Sequence, residues 1–535
     1  MTSSASPLLK ARDLHISFGG IRALRGVDLE IGRGEIRCLA GENGSGKSTF
    51  TKIVSGVYSP DSGEIEFDGE PVTWHHPKDA VAAGIQVIYQ DLSLFEHLTV
   101  GENIAINHML QDRTPFVNRR RMRRIAREQL ERVGVELDLD APVSSLSMAN
   151  RQIVAICRAL SMDARLLFMD EPTTALTGRE VGRLLNIVLE LKRRGLSIVF
   201  ISHKLDEVFR VADSISVFRD GLKVGDFTAA ELDENALATH MTGREVRYER
   251  YHREQESAEP VLTVENLSRT GHFEDVSFAL RPGDIVGLTG LLGSGRTEIA
   301  LSLFGLNKPT GGAISIAGAP VKITAPWDAM KHGIALLPED RQTQGLFGKQ
   351  SIAVNASATM LDRILSKVRT LSRRKEVELA DRVVSEMHVN NKRIETAVSN
   401  LSGGNQQKVV IGKWLFRNPR VFILDSPTVG IDIGSKAEIY EQIHRLAREG
   451  MAVLFISDEA EEIVANCNRV LVMHEGHVVQ TFEEDDVAKD TFKDDLIAVI
   501  SDPEAEEASA QAVPVGAGAG LPAAGITDAG IEAQK

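Results

Sequence analysis

A long internal repeat constrains the fold more than any other feature of this sequence. The segment DLEIGRGEIRCLAGENGSGKST recurs as SFALRPGDIVGLTGLLGSGRTE, which pairs Gly41 with Gly290 at an offset of 249. Further along, LLFMDEPT matches VFILDSPT and pairs Asp170 with Asp425 at an offset of 255. Self-similarity over this length indicates two copies of one domain design.

The two copies differ in length at one place. The offset is still 249 between Gln90 and Glu339, and it has become 255 between Ser147 and Ser402. We interpret the change as a single six-residue insertion in the second copy.

The repeat predicts the domain organisation. We expect a first domain at residues 1–241, a linker at 242–259, a second domain at 260–500 and a tail at 501–535. Short apolar runs such as EIRCLA, RLLFMD and SIVFIS alternate with helix-patterned segments, which is typical of parallel strands buried on both faces. Each copy is therefore predicted to be an α/β domain. The tail is rich in Ala, Gly and Pro and predicts disorder.

Charge and composition exclude several function classes. The formal net charge of -14 argues against broad neutralisation of a nucleic-acid backbone. The most basic stretch, VNRRRMRRIAREQLERVG, carries apolar residues in one stripe and predicts a solvated amphipathic helix rather than a nucleic-acid contact. The residues of that stripe are Met122, Ile125, Leu130 and Val133.

Cysteine and hydropathy patterns limit the location of the chain. Cys38, Cys157 and Cys467 lie far apart, so they provide neither a disulfide framework nor a Cys-x-x-Cys metal site. Nowhere do about 20 apolar residues run without a charge, and the start lacks the layout of a secretory signal. We expect a cytosolic protein that does not itself cross a membrane.

The octapeptide GENGSGKS has the Gly-x-x-x-x-Gly-Lys-Ser spacing of a phosphate-binding loop. It follows an apolar strand and precedes a helix-patterned run, which is the context this pattern requires. Its glycines let backbone N–H groups close on phosphate oxygens, Lys47 adds a positive charge, and the Ser48 hydroxyl is a ligand for Mg²⁺. The predicted ATP-binding loop comprises Gly41, Glu42, Asn43, Gly44, Ser45, Gly46, Lys47, Ser48 and Thr49.

A pair of carboxylates completes this phosphate chemistry. The apolar run LLFMD ends in Asp170 and is followed at once by Glu171. One carboxylate of such a pair holds the magnesium shell, and the next orients and deprotonates the attacking water. We predict an ATPase that uses ATP and Mg²⁺.

Three further segments, QVIYQDLSLFEHLTVGENI, LLPEDRQTQGL and LSGGNQQKVVIGKWL, carry a family resemblance. Over residues 8–500 the chain resembles the ATP-binding cassette proteins, and closely the tandem-cassette ATPases of bacterial carbohydrate importers of the ribose, xylose and galactose type. The resemblance implies two P-loop NTPase domains, each with a RecA-like core, an antiparallel β subdomain and a helical subdomain.

The resemblance also implies roles for single residues. Phe18 would stack on the adenine, Gln90 would sense Mg²⁺ and the membrane partner, and His203 would contact the γ-phosphate. The catalytic set is then Glu171, His203 and Gln90, and the metal set is Ser48, Gln90 and Asp170.

In this family the two cassettes close head to tail, so each ATP lies between the phosphate loop of one half and the signature of the other. The signature LSGGN of the second half would therefore face the intact first loop. The residues that the second half contributes there are Ser402, Gly403, Gly404, Asn405 and Asp432.

The second composite site collects the departures from this pattern. Arg296 replaces the loop lysine, Glu339 the glutamine, Ser426 the second carboxylate and Asp458 the histidine. The facing signature reads LSMAN, with Met148 and Ala149 in place of the glycines, and Thr177 replaces the aspartate of the facing D-loop. We predict one hydrolysing site and a second site that binds nucleotide at most. The degenerate site comprises Gly290, Gly293, Ser294, Gly295, Arg296, Thr297, Asp425, Ser426 and Asp458.

By resemblance, the chain powers import of a sugar or sugar-like solute through separate membrane permease subunits, supplied by an extracytoplasmic solute-binding protein. It would sit peripherally on the cytoplasmic face of the inner membrane and bind no nucleic acid. Two alternatives stay open: a cytosolic tandem cassette acting on ribosomes, and a nucleotide-dependent interaction module. The short linker of mixed charge speaks against the first, and intact Glu171 and His203 speak against the second.

Overall fold

The structure of the protein is a computed structural model. It describes residues 6–111, 118–173, 176, 178–202, 204–244, 250–253, 259–291, 293–366, 369–391 and 393–501. His203, Thr177 and residues 502–535, all named in the sequence-based predictions, lie outside the described residues.

The first half folds into two sheets and a group of helices. Its strands are β1 (Leu9–Phe18), β2 (Ile21–Ile31), β3 (Ile36–Ala40), β4 (Ser62–Phe67), β5 (Glu70–Val72), β6 (Ile85–Ile88), β7 (Leu166–Asp170), β8 (Ser197–Ile201), β9 (Ser214–Arg219) and β10 (Leu222–Thr228). Its helices are α1 (Lys47–Val54), α2 (Pro77–Ala82), α3 (Val100–Gln111), α4 (Arg119–Val133), α5 (Met148–Leu160), α6 (Gly178–Arg193), α7 (Leu205–Val211) and α8 (Glu234–Thr242).

The second half repeats this order. Its strands are β11 (Leu262–Arg269), β12 (Phe273–Leu280), β13 (Ile285–Gly290), β14 (Gly311–Ile316), β15 (Ala319–Val321), β16 (Ile334–Leu337), β17 (Val421–Asp425), β18 (Ala452–Ile456), β19 (Arg469–His474) and β20 (His477–Phe482). Its helices are α9 (Arg296–Leu303), α10 (Pro326–Lys331), α11 (Ile352–Ser357), α12 (Arg373–Glu386), α13 (Gly403–Leu415), α14 (Ile433–Arg448), α15 (Ala460–Asn466), α16 (Glu484–Val487) and α17 (Phe492–Ser501).

Each half has a six-stranded sheet at its centre. The order is β10-β9-β3-β8-β7-β6 in the first half and β16-β17-β18-β13-β19-β20 in the second. Strands β3, β6, β7, β8 and β9 run parallel, and β10 is an antiparallel edge. Helices cover both faces of such a sheet, so strands such as β8 are buried at every position. The α/β fold class predicted from the sequence is confirmed.

A second, antiparallel sheet accompanies each central sheet, in the order β2-β1-β4-β5 and β12-β11-β14-β15. Helices α3, α4 and α5 pack together beside the first central sheet, and α11, α12 and α13 do so beside the second. Helix α4 is the basic stretch, and its stripe is turned inward at Met122, Leu130 and Val133 while most of its arginines are exposed. The predicted amphipathic helix is confirmed.

The prediction of one six-residue insertion is wrong. Asn103 and Asn355 occupy equivalent places. The side-chain oxygen of Asn103 accepts a hydrogen bond from the Phe95 N–H at 2.9 Å, and that of Asn355 accepts one from the Phe347 N–H at 2.8 Å, in each case from a residue eight positions earlier. Their separation, 355 minus 103, is 252. The second half therefore gains three residues before Asn355 and three more between Asn355 and Ser402.

Part of the predicted linker packs on the second half. Tyr251 is buried, its hydroxyl donates to the Gly283 carbonyl at 2.7 Å, and Arg253 pairs with Asp284 at 3.0 Å. None of the helices in the described part of the chain combines the length and apolar composition that a membrane-crossing helix needs.

Candidate nucleotide sites

The carboxyl ends of the parallel strands bring the predicted site residues of the first half together. Gly41 follows β3, Asp170 ends β7, and Gln90 follows the edge strand β6. Ligands of parallel α/β sheets bind at this edge, because the loops that leave the strands there open into a crevice.

The phosphate loop has a backbone that side chains would block. Gly41 has a φ of 154°, and a Cβ atom there would lie 2.3 Å from the Phe218 carbonyl oxygen. Gly46, with a φ of 108°, precedes α1, and a Cβ atom would lie 2.6 Å from the Leu24 side chain. The two glycines are therefore required for the turn from β3 into the start of α1.

Lys47 is held inside this loop. Its Nζ donates to the carbonyl oxygens of Gly41 at 2.7 Å and Glu42 at 2.9 Å, and the residue is only 7% exposed. Burial lowers the pKa of Lys47, while the nearby carboxylates of Glu171 and Asp170 act in the opposite direction. A phosphate group at this loop would meet a desolvated cation in a low-dielectric setting, where its charge acts strongly.

Asp170 and Ser48 form the pair that a magnesium site requires. The Ser48 side chain lies beside the Asp170 carboxyl group, whose pKa it lowers. Burial raises the pKa of Asp170, and the neighbouring Glu171 raises it further, although Lys47 opposes both. The described residues hold no cluster of three or more His, Cys, Asp or Glu side chains placed for a metal. This donor set fits Mg²⁺, which is typically held by one or two carboxylates together with phosphate oxygens and water.

Glu171 has a strained backbone. Its φ is 47°, an unusual value for a residue other than glycine, and its N–H donates to the Ile201 carbonyl on β8 at 2.9 Å. The residue is half-buried. Strain of this kind persists where the surrounding structure fixes it, and it is common at catalytic positions.

Gln90 and Phe18 lie at the surface. Gln90 is exposed, and Phe18 is 43% exposed at the end of β1 with its ring 5.0 Å from the ring of Tyr58. Both side chains are accessible to a ligand or a partner.

The second half reaches into the first phosphate loop through Asp432 and Gly434. Asp432 caps α14 by accepting from the Ser435 N–H at 2.9 Å. The Glu42 carboxyl lies beside the Asp432 side chain and against the Gly434 backbone. A Cβ atom at position 434 would lie 2.2 Å from Glu42 Oε1, so only glycine leaves room for this contact.

Glu42 and Asp432 are two carboxyl groups in one contact. Burial raises the pKa of Glu42 to about 7, and the Asp432 charge adds to the effect. Arg244, which follows α8, lowers it and partly compensates. Two carboxyl groups that share a site favour a state in which one of them keeps its proton.

The signature of the second half packs against the N-terminal end of α14. Helix α13 starts at Gly403, and a Cβ atom at Gly404 would lie 2.2 Å from the Ser435 hydroxyl oxygen. Glu438 on α14 pairs with Lys408 of α13 at 2.6 Å and with Arg244 of the linker at 2.7 Å. The Ser402 hydroxyl accepts from the Asn405 side chain at 2.8 Å and is exposed. The signature, Asp432 and the first phosphate loop are thus linked by contacts.

The second phosphate loop keeps the backbone and changes the side chains. Gly290 and Gly295 have φ values of 146° and 99°, close to those of Gly41 and Gly46. Ser426 has a φ of 49°, and its N–H donates to the Ile456 carbonyl at 2.9 Å, as Glu171 does in the first half. The backbone for a catalytic carboxylate is present without the carboxylate.

Arg296 lies among acidic groups of its own half. Burial lowers the pKa of Arg296. The negative charges of Asp458, Asp425 and Glu339, in decreasing order of effect, raise it and oppose this shift. Burial also raises the pKa of Asp425 to about 6, against a hydrogen bond from Thr297 that lowers it. By contrast, one of the negative charges that raise the pKa of Lys47 belongs to the other half, at Asp432.

The signature of the first half differs in the described structure as well as in sequence. Ser147 caps α5 by accepting from the Asn150 N–H at 3.4 Å, whereas Ser402 makes no such bond to its own helix. Met148 is 43% exposed and covers the helix start where the second half has Gly403.

Sequence patterns missed two features near these sites. Phe95 and Phe347 occupy equivalent positions and are 53% and 61% exposed. Gly434 and Arg244 connect the halves and lie outside any recognised motif. The signal that could have identified Phe95 and Phe347 as equivalent is the repeated asparagine, Asn103 or Asn355, eight residues after each phenylalanine.

Comparison with known proteins identifies the family. The profile described as ABC transporter matches residues 24–174 and 273–429, one range in each half. The chain belongs to the ABC transporter family. It has two ABC ATPase domains, a domain type that binds ATP, and the predicted P-loop NTPase fold is confirmed.

Curated relatives cover almost the whole chain. The ribose import ATP-binding protein RbsA 2 of Rubrobacter xylanophilus is 46% identical over 90% of this chain and 93% of its own length. The protein of the same name from Streptomyces avermitilis is 44% identical over 88% and 94%. The ribose import ATP-binding protein RbsA 1 of Streptomyces coelicolor is 42% identical over 91% and 97%.

Solved structures with similarity include a nucleotide-free ATP-binding cassette from an ABC transporter, with 26% identity, 43% of this chain and 95% of that chain covered, and a TM-score of 0.40. The relatives are named as import proteins, so the ribosome-acting alternative is not favoured, and the predicted enzyme class, an ATPase coupled to transport, is confirmed.

Proposed function

We propose that this ABC ATPase hydrolyses ATP at one composite site, built by the phosphate loop of the first half and the signature and D-loop of the second. The contact of Glu42 with Asp432 and Gly434 carries the proposal. It brings the D-loop to the first loop, and the Gly404 contact with Ser435 keeps the signature beside it.

Each residue in the first site has a separate task. Ser48 and Asp170, with Gln90, would hold Mg²⁺, which when bound neutralises charge on the phosphate oxygens. Lys47 exchanges its loop carbonyls for phosphate oxygens, and Glu171 orients the attacking water and accepts its proton. His203 would contact the γ-phosphate, and Phe18 would stack on the adenine.

The second half supplies the opposite side of this ATP. The Ser402 hydroxyl and the first amides of α13, at Gly403 and Gly404, would meet the γ-phosphate at a helix N-terminus, where unpaired N–H groups attract anions. Asn405 holds the Ser402 side chain, and Asp432 fixes the position of Glu42.

The second site would bind nucleotide at most and would not hydrolyse it. The pair of Thr297 and Asp425 retains a hydroxyl and a carboxylate for a metal. Ser426 provides no general base, and loss of such a base lowers a rate by about 10² to 10⁴. Glu339 and Asp458 add negative charge beside Arg296 where a triphosphate would lie.

The chain powers import of ribose or a related sugar through separate membrane permease subunits. The names of the relatives support this substrate class. An extracytoplasmic solute-binding protein would deliver the sugar, and this chain would sit on the cytoplasmic face of the inner membrane.

The equivalent exposed phenylalanines indicate where the permease binds. Phe95 lies five residues after Gln90 and Phe347 lies eight after Glu339, so each half presents one apolar side chain beside its edge strand. Exposed aromatic residues are enriched at protein interfaces. Two equivalent faces fit two permease subunits.

Permease binding is tested by co-expression and co-purification with membrane permease subunits. Phe95→Ser and Phe347→Ser should each reduce recovery of the membrane subunits. Ile21→Ser, at an apolar side chain that is 75% exposed elsewhere on the first half, is the matched control. Equal recovery with all three variants would contradict the assignment of this surface.

Transport is tested with proteoliposomes that contain this chain and the membrane subunits, with the binding protein outside and MgATP inside. Radiolabelled ribose should accumulate with the wild-type chain and not with Glu171→Gln, while labelled leucine should not accumulate with either. Co-sedimentation with ribosomes instead of membranes, without sugar uptake, would contradict the proposed function.

A further inference from the structure

A π-helical turn in the second half contains the three residues that this half gains before Asn355. The turn spans Arg341–Gly345 and follows Asp340, which accepts from the N–H groups of Gln342 at 3.0 Å and Thr343 at 3.1 Å. In the first half only three residues separate Asp91 from Phe95, and none of them is an arginine. Extra residues accommodated as a π turn are frequent at functional sites.

The turn is tied to the signature helix at its far end. Lys413, in the last turn of α13, donates to the Gly345 carbonyl. The equivalent residue of the first half, Arg158, donates to the carbonyls of Ser93 at 2.7 Å and Leu92 at 2.8 Å. This tether is common to both halves, and it therefore reflects the shared fold.

Arg341 makes a second connection that belongs to the inserted turn. Its guanidinium donates to the carbonyl oxygens of Val429 and, at 3.2 Å, Gly430. A Cβ atom at Gly403, the first residue of α13, would lie 2.8 Å from Arg341 Nη2. One side chain thus contacts both the start of the signature helix and the loop that leads to Asp432.

The position of this loop decides what the first ATP meets. Gly430 lies two residues before Asp432, whose side chain contacts Glu42 of the first phosphate loop. The planar guanidinium has donors in a fixed fork, so holding two successive carbonyls fixes the orientation of the loop, which a single ammonium does less well.

We propose that Arg341 is a positioning residue for ATP hydrolysis at the first phosphate loop, which it serves by holding the D-loop and the signature start of the second half in one arrangement. The proposal rests on the proposed function of that composite site. Arg341 makes no contact with Lys47 or Asp170 among the described interactions, so it acts through Asp432 and Gly403.

The experiment compares Arg341→Ala, Arg341→Lys and Gln342→Ala in the full chain assembled with its membrane subunits. Gln342 is exposed and adjacent, which makes it the matched control. MgATP hydrolysis is measured against ATP concentration, and melting temperatures are recorded. Misplacement of a site by about 1 Å costs up to roughly 10²-fold in rate. Arg341→Ala should lower kcat about 10- to 100-fold and leave KM within about twofold, because the phosphate loop is unchanged.

Arg341→Lys should recover part of kcat, since lysine reaches one carbonyl, and Gln342→Ala should match the wild type. A kcat of Arg341→Ala within twofold of that of Gln342→Ala would overturn the inference, as would a rise in KM with unchanged kcat. If Arg341→Ala does not fold, Arg341→Lys decides: a lower kcat at unchanged melting temperature supports the inference, and a wild-type kcat overturns it. Failure of the wild-type assembly to hydrolyse MgATP would instead contradict the proposed function.

Discussion

The two phosphate sites have similar backbone conformations and different side-chain chemistry. Glu171 and Ser426 have φ values of 47° and 49°, and each N–H donates at 2.9 Å to the adjacent strand. The glycines of the two loops also have similar φ values. The difference teaches that the backbone of a nucleotide site is present in the second half without the side chains to which we assign hydrolysis in the first. In the proposed function, the second half contributes to catalysis through what it supplies to the first loop.

A buried glutamate at equivalent positions of the two halves shows a further difference between them. Glu207 of the first half receives hydrogen bonds from Thr173 at 2.6 Å and Ser202 at 3.0 Å, and burial raises its pKa. Glu462, its equivalent, is also buried, but Lys436 at 2.9 Å and further donors hold its pKa below the usual value.

Lys436 lies one turn after Asp432, and its Nζ also contacts Glu459 at 2.8 Å. At the corresponding position, 436 minus 255, the first half has Val181. An ion pair therefore anchors the helix that carries Asp432, whereas the matching helix of the first half has an apolar residue at that position. This is consistent with a second half specialised for presenting its D-loop.

The largest expected difference between the sites comes from their loop cations. Lys47→Ala should reduce ATP turnover by about 10² to 10³, since loss of one group that stabilises transition-state charge has this effect. Arg296→Ala should leave most of the turnover. Steady-state phosphate release from MgATP measures both, and equal losses would show that the second loop also supports hydrolysis.

The signatures provide a second comparison with a smaller effect. Gly404→Ala places a methyl group against Ser435 and pushes α13 from α14, and such overpacking costs about 1 to 3 kcal/mol. Because this displacement moves the signature relative to the first phosphate loop, turnover should fall about tenfold. The reverse change in the first half, Ala149→Gly, should leave kcat unchanged. A tenfold effect of Ala149→Gly would place catalysis at the other site.

The smallest effect concerns the pH dependence of the contact between the halves. The pKa of Glu42 is raised to about 7, so the folded protein binds a proton there that the unfolded chain has released. Stability from this contact is therefore present at low pH and declines as pH rises from about 4.5 through 7.

Glu42→Gln stays neutral and should remove this dependence. The melting temperature of the variant minus that of the wild type should grow between pH 5.5 and 8.5. Leu291→Gln introduces the same residue at the equivalent position of the second loop, where the side chain is 48% exposed. Because it removes no titratable group, it should leave the wild-type pH dependence intact. Parallel curves for Glu42→Gln and the wild type would show that Glu42 does not titrate in this range.

Much of the fold and of the first site was predictable because the signals are local. The phosphate loop, Asp170 at a strand end and the helix-starting signature each combine residue type, spacing and hydropathy within a few residues. The two insertions were not separated, because the loops around Leu92 and Arg341 share no matching residues between their ends. The hydrogen bonds of Asn103 and Asn355 fix the register between them.

Contacts between the halves have no local signal. Glu42 and Gly434 are nearly 400 residues apart, and nothing in either segment indicates that a carboxylate will meet a helix start. Arg341 is similar, because its partners are backbone carbonyls, which every residue has. Such contacts depend on how segments far apart in the sequence pack together, which hydropathy patterns do not encode.

The central claim is that one site hydrolyses ATP and the other does not. The most direct test places the same residue at the same position of each half, in Glu171→Gln and Ser426→Gln, and measures steady-state MgATP hydrolysis by the assembled transporter. The account predicts that Glu171→Gln lowers turnover by about 10² or more, while Ser426→Gln stays within about twofold of the wild type. Loss of about half the activity in each variant would contradict it.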